Sequence, residues 1–196
     1  MTGCSIQRHK CKFMLKAVIA FWFRKKGWRF TGNLPKRLKK SIIIVAPNTS
    51  RQDFLLAVGV RKLSRFHARI LLDKKYFSLL RQPFLKALDV YPFDYDNSES
   101  AWRDLLNSFA ERKKFCVVYS PEGNLKRNDD WDDGFHDLAL KLDLPIVMAA
   151  LDYRGKKVKF HNHFHPSNDK ARDIAYMKNW FYCHKGKYEA QDVFIE

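Results

Sequence analysis

The chain has 196 residues, 46% of them hydrophobic, which is enough for one globular domain with a buried core. Its 37 Lys plus Arg against 21 Asp plus Glu give a net charge of +16, so an anionic partner or surface is expected. The sequence has no zinc-finger spacing, helix-turn-helix pattern or aromatic single-strand-binding signature, so we predict an anionic membrane surface as the partner and no nucleic acid.

The N-terminal part of the chain is basic, with no acidic residue from Met1 to Gln52. Within it, Cys11–Phe23 is predicted to form a helix whose apolar stretch is far shorter than the ~20 residues needed to span a bilayer. This helix either lies on a membrane as an interfacial anchor or packs on the domain core, and the sequence leaves both open. We predict a basic amphipathic helix in 1–26, a domain in 27–196, and a cytoplasmic protein that is peripheral on the cytoplasmic face of a membrane.

Downstream, short apolar runs alternate with helical patterns. The alternation is typical of βαβ units, so we predict a single α/β domain with a largely parallel sheet flanked by helices. The predicted strands are Ser41–Pro47, Ala68–Leu72, Val90–Phe93, Phe115–Tyr119, Pro145–Leu151 and a late strand through Val158, Phe160 and Phe164. The predicted helices are Asp53–Leu63, Lys75–Leu88, Ser98–Lys113, Gly134–Leu142 and Ala171–His184. Ligands of open α/β sheets bind at the carboxyl ends of strands, which here means the loops Pro47–Asp53 and Ser120–Trp131.

Those two loops carry a family resemblance. The segment Val45–Leu56 resembles the first signature block of the glycerol-3-phosphate and lysophosphatidate acyltransferases, which has a His, four residues and an Asp. Asp53 matches the Asp, but Asn48 stands in place of the His. Further on, Ser120–Gly123 resembles the Pro-Glu-Gly-Thr-Arg block of the family. The blocks follow in the family's order over nearly the whole chain, so the resemblance implies an acyltransferase-like fold and Asn48 and Asp53 as the catalytic positions.

The missing His bears directly on catalysis. The resemblance implies a His that acts as general base on the acceptor hydroxyl, which attacks an acyl thioester, and an Asp that orients the imidazole. Asn48 can orient a hydroxyl by hydrogen bonding, but its amide cannot take a proton. A positioned base contributes typically ~10²–10⁴-fold, so the sequence predicts a severe loss of rate unless another group replaces the base.

Two further departures concern the phosphate of the acceptor. Tyr95 stands where the family's second block has an Arg, and Asn124 and Leu125 replace the Thr-Arg of the third block. A guanidinium binds phosphate through two hydrogen bonds, which neither a phenol nor an isobutyl group can replace. The candidate substitutes are cations nearby in sequence, each of which is alternatively a solvated surface charge: Lys74, Lys75, Lys126 and Arg127.

Glu122 and Gly123 are the best-preserved part of the third block. A glycine after a strand permits close approach of backbone to ligand, and Glu122 either binds a substrate hydroxyl or only braces the loop. The predicted substrate-binding residues are therefore Lys74, Lys75, Tyr95, Glu122, Gly123, Asn124, Lys126 and Arg127.

Metal chemistry is not favoured by the sequence. The four cysteines are scattered without paired spacing, which is expected of a reduced cytoplasmic protein. His161, His163 and His165 share one face of the predicted late strand, but no acidic ligand is near them in sequence, so we predict exposed histidines and no metal. His136 follows the third block and is a reserve candidate for the missing base.

Two functions remain open from the sequence. The first is transfer of a fatty acyl group from an acyl thioester, carried on coenzyme A or acyl carrier protein and without a further cofactor, to a lysophospholipid or another membrane lipid. The second is a catalytically silent protein that binds a lipid or acyl chain and has kept the fold after losing the base.

Overall fold

The computed structural model describes residues 18, 21–32, 38–63, 67–78, 81–123 and 130–193. In this part the chain forms seven strands: β1 (Arg29–Gly32), β2 (Lys40–Ala46), β3 (Arg69–Asp73), β4 (Val90–Phe93), β5 (Phe115–Tyr119), β6 (Ile146–Asp152) and β7 (Lys157–Phe160). Its longer helices are α1 (Arg51–Leu63), α2 (Gln82–Ala87), α3 (Ser98–Glu111), α4 (Gly134–Lys141) and α5 (Lys170–Tyr182). Two short 3₁₀ helices span Lys74–Tyr76 and Glu189–Gln191.

All seven strands belong to one sheet, in the order β1-β7-β6-β2-β5-β3-β4. Every neighbouring pair is parallel except β6 and β7, which are antiparallel. In register, Ile44 of β2 lies beside Tyr119 of β5 and Met148 of β6, so the three central strands end at the same edge. The predicted α/β fold with a largely parallel sheet is confirmed.

The central strands are buried on both faces because helices cover each side of the sheet. In β2, Ile42 and Ile44 pack in one core and Ile43 in another, as alternation along a strand requires. The first core is closed by α3, α4 and α5, and we call this side the α3–α5 face. The opposite side, which we call the α1–α2 face, is closed by α1, α2 and the short helical stretch 21–25.

Two element predictions were wrong. Lys75–Leu88 is not one helix, because the 3₁₀ turn ends before Phe77, which is extended, and α2 begins only at Gln82 with Pro83 in its first turn. The late strand ends at Phe160, so His161 and His163 lie beyond it in irregular structure, and Phe164 makes only an isolated bridge to Ile146.

The predicted N-terminal helix Cys11–Phe23 lies mostly outside the described residues, so the division at residues 26 and 27 stays a prediction. Phe23 is buried and stacks on Phe30, with ring centroids 4.8 Å apart, whereas Phe21 and Val18 are exposed. Where the helix is described, it therefore has one side on the core and one side in solvent. Among the helices of the described part, none is long and apolar enough to cross a membrane.

Candidate active site

The loop between β2 and α1 is fixed by carboxylates. The backbone N–H of Asn48 donates to Glu122 Oε2 at 2.6 Å, so the first and third signature segments meet at one edge of the sheet. This is the edge at which β2 and β5 both end, where the parallel-sheet rule places ligands. Glu122 therefore braces the loop that carries Asn48.

Asp53 lies buried in the first turn of α1 and accepts four hydrogen bonds. Its Oδ2 accepts from the backbone N–H of Thr49 at 2.7 Å and of Ser50 at 2.8 Å. Its Oδ1 accepts from Ser50 Oγ at 2.9 Å and from the Tyr153 hydroxyl at 2.5 Å. Burial raises the pKa of Asp53 and outweighs these four donors, which favour the carboxylate. A carboxylate has about four acceptor positions, so this shell is full.

Asn48 presents its side chain to a cleft at the same edge of the sheet. Within the described part of the chain, its amide makes no hydrogen bond, whereas its own backbone N–H is held by Glu122. The backbone N–H groups of Thr49 and Ser50 are also engaged, both by Asp53. The Asn48 amide is therefore the group of this loop that is positioned to donate to, or accept from, a ligand.

The cleft has a volume of about 370 Å³ and is amphipathic. Its polar lining includes Asn48, Ser50, Ser120 and the two arginines Arg51 and Arg81. Its apolar lining includes Phe54, Leu71, Leu72 and Leu85. A ligand with a charged or polar head and an apolar tail fits this combination.

The apolar side of the cleft continues inward beneath α1. A cavity of about 60 Å³ shares Phe54, Leu71 and Leu72 with the cleft. A further cavity of about 30 Å³ shares Val45, Ala57 and Val118 with that cavity. The innermost cavity is lined mainly by aliphatic side chains of the α1–α2 face. The three neighbouring cavities, here called the apolar path, therefore lie in sequence from Asn48 toward the core.

Tyr95 and Gly123 pack against each other at the wall of the cleft. Gly123 has φ +70°, and a Cβ there would lie 2.9 Å from the Tyr95 ring, so the close approach requires glycine. The Tyr95 hydroxyl donates to the Ser120 carbonyl at 2.8 Å, and its ring stacks on Tyr119. Burial raises the pKa of Tyr95, so this residue contributes an uncharged aromatic wall where the family resemblance implies an arginine.

The two lysines predicted to bind substrate are engaged elsewhere. Lys74 pairs with Asp94 at 2.6 Å, and Lys75 pairs with Asp73 at 2.5 Å. Asp73 lines the cleft, but neither lysine does. The predicted residues Asn124, Lys126 and Arg127 lie outside the described residues, so their role stays a prediction.

The C-terminal residues Gly186 and Lys187 lie next to the loop between β2 and α1. The backbone N–H of Lys187 donates to Thr49 Oγ1 at 2.9 Å, and Gly186 N–H donates to Asp192 Oδ1 at 2.7 Å. Asp192 and Glu122 are both buried, and burial raises the pKa of Asp192 and that of Glu122, the latter to about 8. The neighbouring charges of Asp53 and Asp192 contribute to the shift of Glu122. The loop between β2 and α1 is thus held by three buried carboxyl groups, those of Asp53 and Glu122 directly and that of Asp192 through the C-terminal segment.

Sequence reasoning missed three residues of this site. Tyr153 follows β6, whose end lies beside β2, so the strand-end rule that found Glu122 also points to it. Arg51 lies within the signature segment Val45–Leu56, at the first position of α1, and lines the cleft. Arg81 reaches the cleft from the start of α2, a helix that the sequence pattern had merged with the preceding turn.

The histidines do not contribute to the cleft. His136 is buried in α4, and its Nε2 lies 2.9 Å from Asp173 Oδ2, which ties α4 to α5. It is therefore no replacement for the base at Asn48, because it belongs to the core of the α3–α5 face. No group of three or more His, Cys, Asp or Glu side chains suited to a metal occurs among the described residues, the segment with His161, His163 and His165 included.

Comparison with known proteins identifies the fold. The structure is similar to the crystal structure of the 1-acyl-sn-glycerophosphate (LPA) acyltransferase PlsC from Thermotoga maritima, with a TM-score of 0.56 and 15% sequence identity. The match covers 92% of this chain and 80% of that chain. The fold is acyltransferase-like. By sequence, no family model matches the chain, and neither does any curated protein.

Proposed function

We propose that the protein binds a fatty acyl thioester in the Asn48 cleft and transfers its acyl group to a lysophospholipid or another lipid acceptor at a membrane surface. The observation that carries this proposal is the apolar path, the row of neighbouring cavities that share Phe54 and Leu72 and then Ala57 in their walls. A fatty acyl chain is the ligand that such a path accommodates, and it would bring the thioester carbonyl to Asn48. Coenzyme A or acyl carrier protein would carry the thioester outside the cleft.

Arg51 and Arg81 would receive the anionic head of the acceptor. Both are exposed and line the cleft. They supply guanidinium groups, which the signature positions Tyr95 and Leu125 lack. The phosphate-headed acceptor of the family is therefore retained in the proposal, with its charge bound by different residues.

Asn48 would act by orientation. Its amide can hydrogen-bond the acceptor hydroxyl or the thioester carbonyl, but no proton can be transferred to it. Positioning of two reactants alone accelerates a reaction substantially, whereas the base is worth a further ~10²–10⁴-fold. The expected enzyme is slow. The absence of a base should reduce the rate less with an amine acceptor than with a hydroxyl acceptor, because a neutral amine attacks without prior deprotonation.

A second candidate function is a silent binder of acyl thioesters or lipids. The observation that favours it is the full hydrogen-bond shell of Asp53, which Tyr153 and Ser50 complete without any residue at position 48. Because all acceptor positions of Asp53 are used within the protein, its role in this candidate is to hold the loop between β2 and α1 in place. The cleft and the apolar path serve this candidate equally well.

One experiment separates the two candidates. The purified full chain is incubated with palmitoyl thioesters of coenzyme A and of acyl carrier protein, with lysophosphatidate or an uncharged monoacylglycerol as acceptor. Free thiol and acylated lipid are measured separately, and thioester binding is measured by calorimetry. Acceptor-dependent acylated lipid supports transfer; binding without transfer or hydrolysis supports the silent binder. Absence of thioester binding contradicts transfer, and absence of binding to both the thioesters and the lipid acceptors contradicts both candidates.

A further inference from the structure

The two faces of the sheet differ in which large apolar side chains they leave in solvent. On the α1–α2 face these are Leu55, Phe84, Phe21 and Val18, which are between 51% and 67% exposed. On the α3–α5 face they are Leu140, Tyr176 and Tyr182, between 39% and 45% exposed, and two of these three are tyrosines with a polar hydroxyl. Among the described residues, exposed Phe side chains and the more exposed of the two exposed Leu side chains therefore lie on one side of the sheet.

The charges divide in the same way. The exposed residues described in α1 and α2, with Arg81 at the start of α2, include the cations Arg51, Arg81 and Lys86 and no acidic residue. The helices of the α3–α5 face expose acidic and basic residues together: Glu99, Asp104, Glu111 and Asp137 with Arg103, Lys141 and Arg172. The face that exposes Leu and Phe is thus also the one whose helices are free of exposed negative charge.

Helical spacing joins the two kinds of residue at the mouth of the cleft. Leu55 follows Arg51 by four positions in α1, so the two side chains are neighbours on one helix surface. Phe84 stands three positions after Arg81 and next to Leu85, which lines the cleft. Arg51 and Arg81 line the cleft themselves. The pairs Arg51–Leu55 and Arg81–Phe84 therefore flank its opening.

We infer that Arg51, Leu55, Arg81, Phe84 and Lys86 form a membrane-docking surface, here called the α1–α2 surface, which seats the opening of the Asn48 cleft on an anionic bilayer. Leu55 and Phe84 enter the interfacial region and Lys86 contacts lipid phosphates, while Arg51 and Arg81 meet the anionic head of the lipid that enters the cleft. The inference deepens the proposed function, on which it rests for the lipid acceptor. It assigns membrane contact to the folded domain, in addition to any contact made by residues 1–26.

Charge complementarity favours a bilayer over other occupants. The net charge of +16 attracts any anionic surface, but two bulky apolar side chains more than half exposed between cations match an interface with both phosphates and acyl chains. An acidic carrier protein would satisfy the cations and leave Leu55 and Phe84 with less to contact. A carrier protein on this surface is an outcome that the test below detects.

The test compares two double variants of the full chain that add the same charge on opposite faces. Leu55→Asp/Phe84→Asp alters the α1–α2 surface, and Leu140→Asp/Tyr176→Asp is the matched control. Binding is measured by sedimentation with vesicles of phosphatidylcholine containing phosphatidylglycerol, and with phosphatidylcholine alone. The first variant is expected to weaken binding to anionic vesicles on the order of tenfold or more, and the control by much less.

Equal binding by wild type and Leu55→Asp/Phe84→Asp, or equal losses in both variants, would overturn the inference. Should the first variant fail to fold by circular dichroism, Phe84→Ser, which adds no charge, takes its place with the same expectation in direction. Unchanged vesicle binding with lost turnover of carrier-protein thioesters would assign the surface to the carrier and reject the membrane. Neither Leu55 nor Phe84 lines the cleft, so binding of a soluble thioester should be unchanged in both variants, and this readout tests the proposed function separately.

Discussion

A histidine introduced at position 48 can act as a base only if an Asp53 oxygen is free to accept a hydrogen bond from it. One of the present donors to Asp53 must therefore be removed. The four acceptor positions of Asp53 are taken by Thr49 N–H, Ser50 N–H, Ser50 Oγ and the Tyr153 hydroxyl. A histidine at position 48 would need one of them to fix its tautomer and orientation. Tyr153→Phe removes one of these donors and keeps the other three, which come from Thr49 and Ser50 next to the start of α1. We therefore expect Asn48→His and Tyr153→Phe to act together.

The expected magnitudes follow from the worth of a positioned base. Asn48→His alone should raise acyl transfer by less than about tenfold, because the imidazole is not aligned. Tyr153→Phe alone should give no gain, and its ring contact with Trp28, 4.9 Å between centroids, is kept. The double variant should gain on the order of 10²-fold. Its rate should also rise with pH through the ordinary histidine range near ~6.5 and then level off.

The assay is acceptor-dependent formation of acylated lipid by the four proteins of this cycle, with thiol release recorded in parallel. Asn48→His/Tyr95→Phe is the matched control, because Tyr95 also lines the cleft but donates to Ser120 and not to Asp53. Equal rates for Asn48→His and the Asn48→His/Tyr153→Phe double variant would refute the reasoning about Asp53. A flat result in every variant would favour the silent binder.

Two further predictions concern Glu122 and Gly123. Burial raises the Glu122 pKa to about 8, above the value of 4.5 for an exposed glutamate, so the folded protein keeps a proton that the unfolded chain loses. The free energy of unfolding should therefore fall as pH rises from about 4.5 to about 8, by up to about 1.4 kcal/mol per pH unit. Glu122→Gln should remove this contribution when wild type and variant are compared by urea denaturation between about pH 5 and 9. Parallel pH dependences of the two proteins would contradict the prediction. Gly123→Ala should lower the free energy of unfolding by roughly 1–3 kcal/mol, because of the positive φ and the contact with Tyr95. An unchanged midpoint of urea denaturation would contradict this prediction.

Most of the sheet was predictable because its buried strands have continuous apolar sequences between turn residues. β4 and β5 have the predicted bounds, and β2 differs by one residue at each end. β1 escaped prediction because Arg29–Gly32 is a mostly exposed edge strand with one apolar side chain, Phe30, and so lacks the pattern of a buried strand. The error at Lys75–Leu88 has a local cause, since the backbone extends at Phe77 and a helix restarts only near Pro83.

The site was predictable only where its residues follow strand ends. Asn48, Asp53 and Glu122 were placed together by that rule, and the structure brings them to one corner. Contacts between distant segments carry no local pattern: the Tyr153 hydroxyl reaches Asp53 across 100 residues, and Lys187 reaches Thr49 across 138. The ion pair of Lys75 with Asp73 likewise depends on side-chain rotamers that the sequence does not encode in its periodicity.

The central claim is that a fatty acyl chain enters the path beneath α1. Calorimetric titration of palmitoyl and octanoyl coenzyme A, below their micelle concentrations, into wild type and Ala57→Phe tests it directly, because Ala57 lines both inner cavities. Ala101→Phe, in a separate groove beside α3, is the control. We expect Ala57→Phe to weaken palmitoyl binding by at least about tenfold, with octanoyl binding and the control nearly unchanged. Palmitoyl binding that is as tight to Ala57→Phe as to wild type would contradict the account.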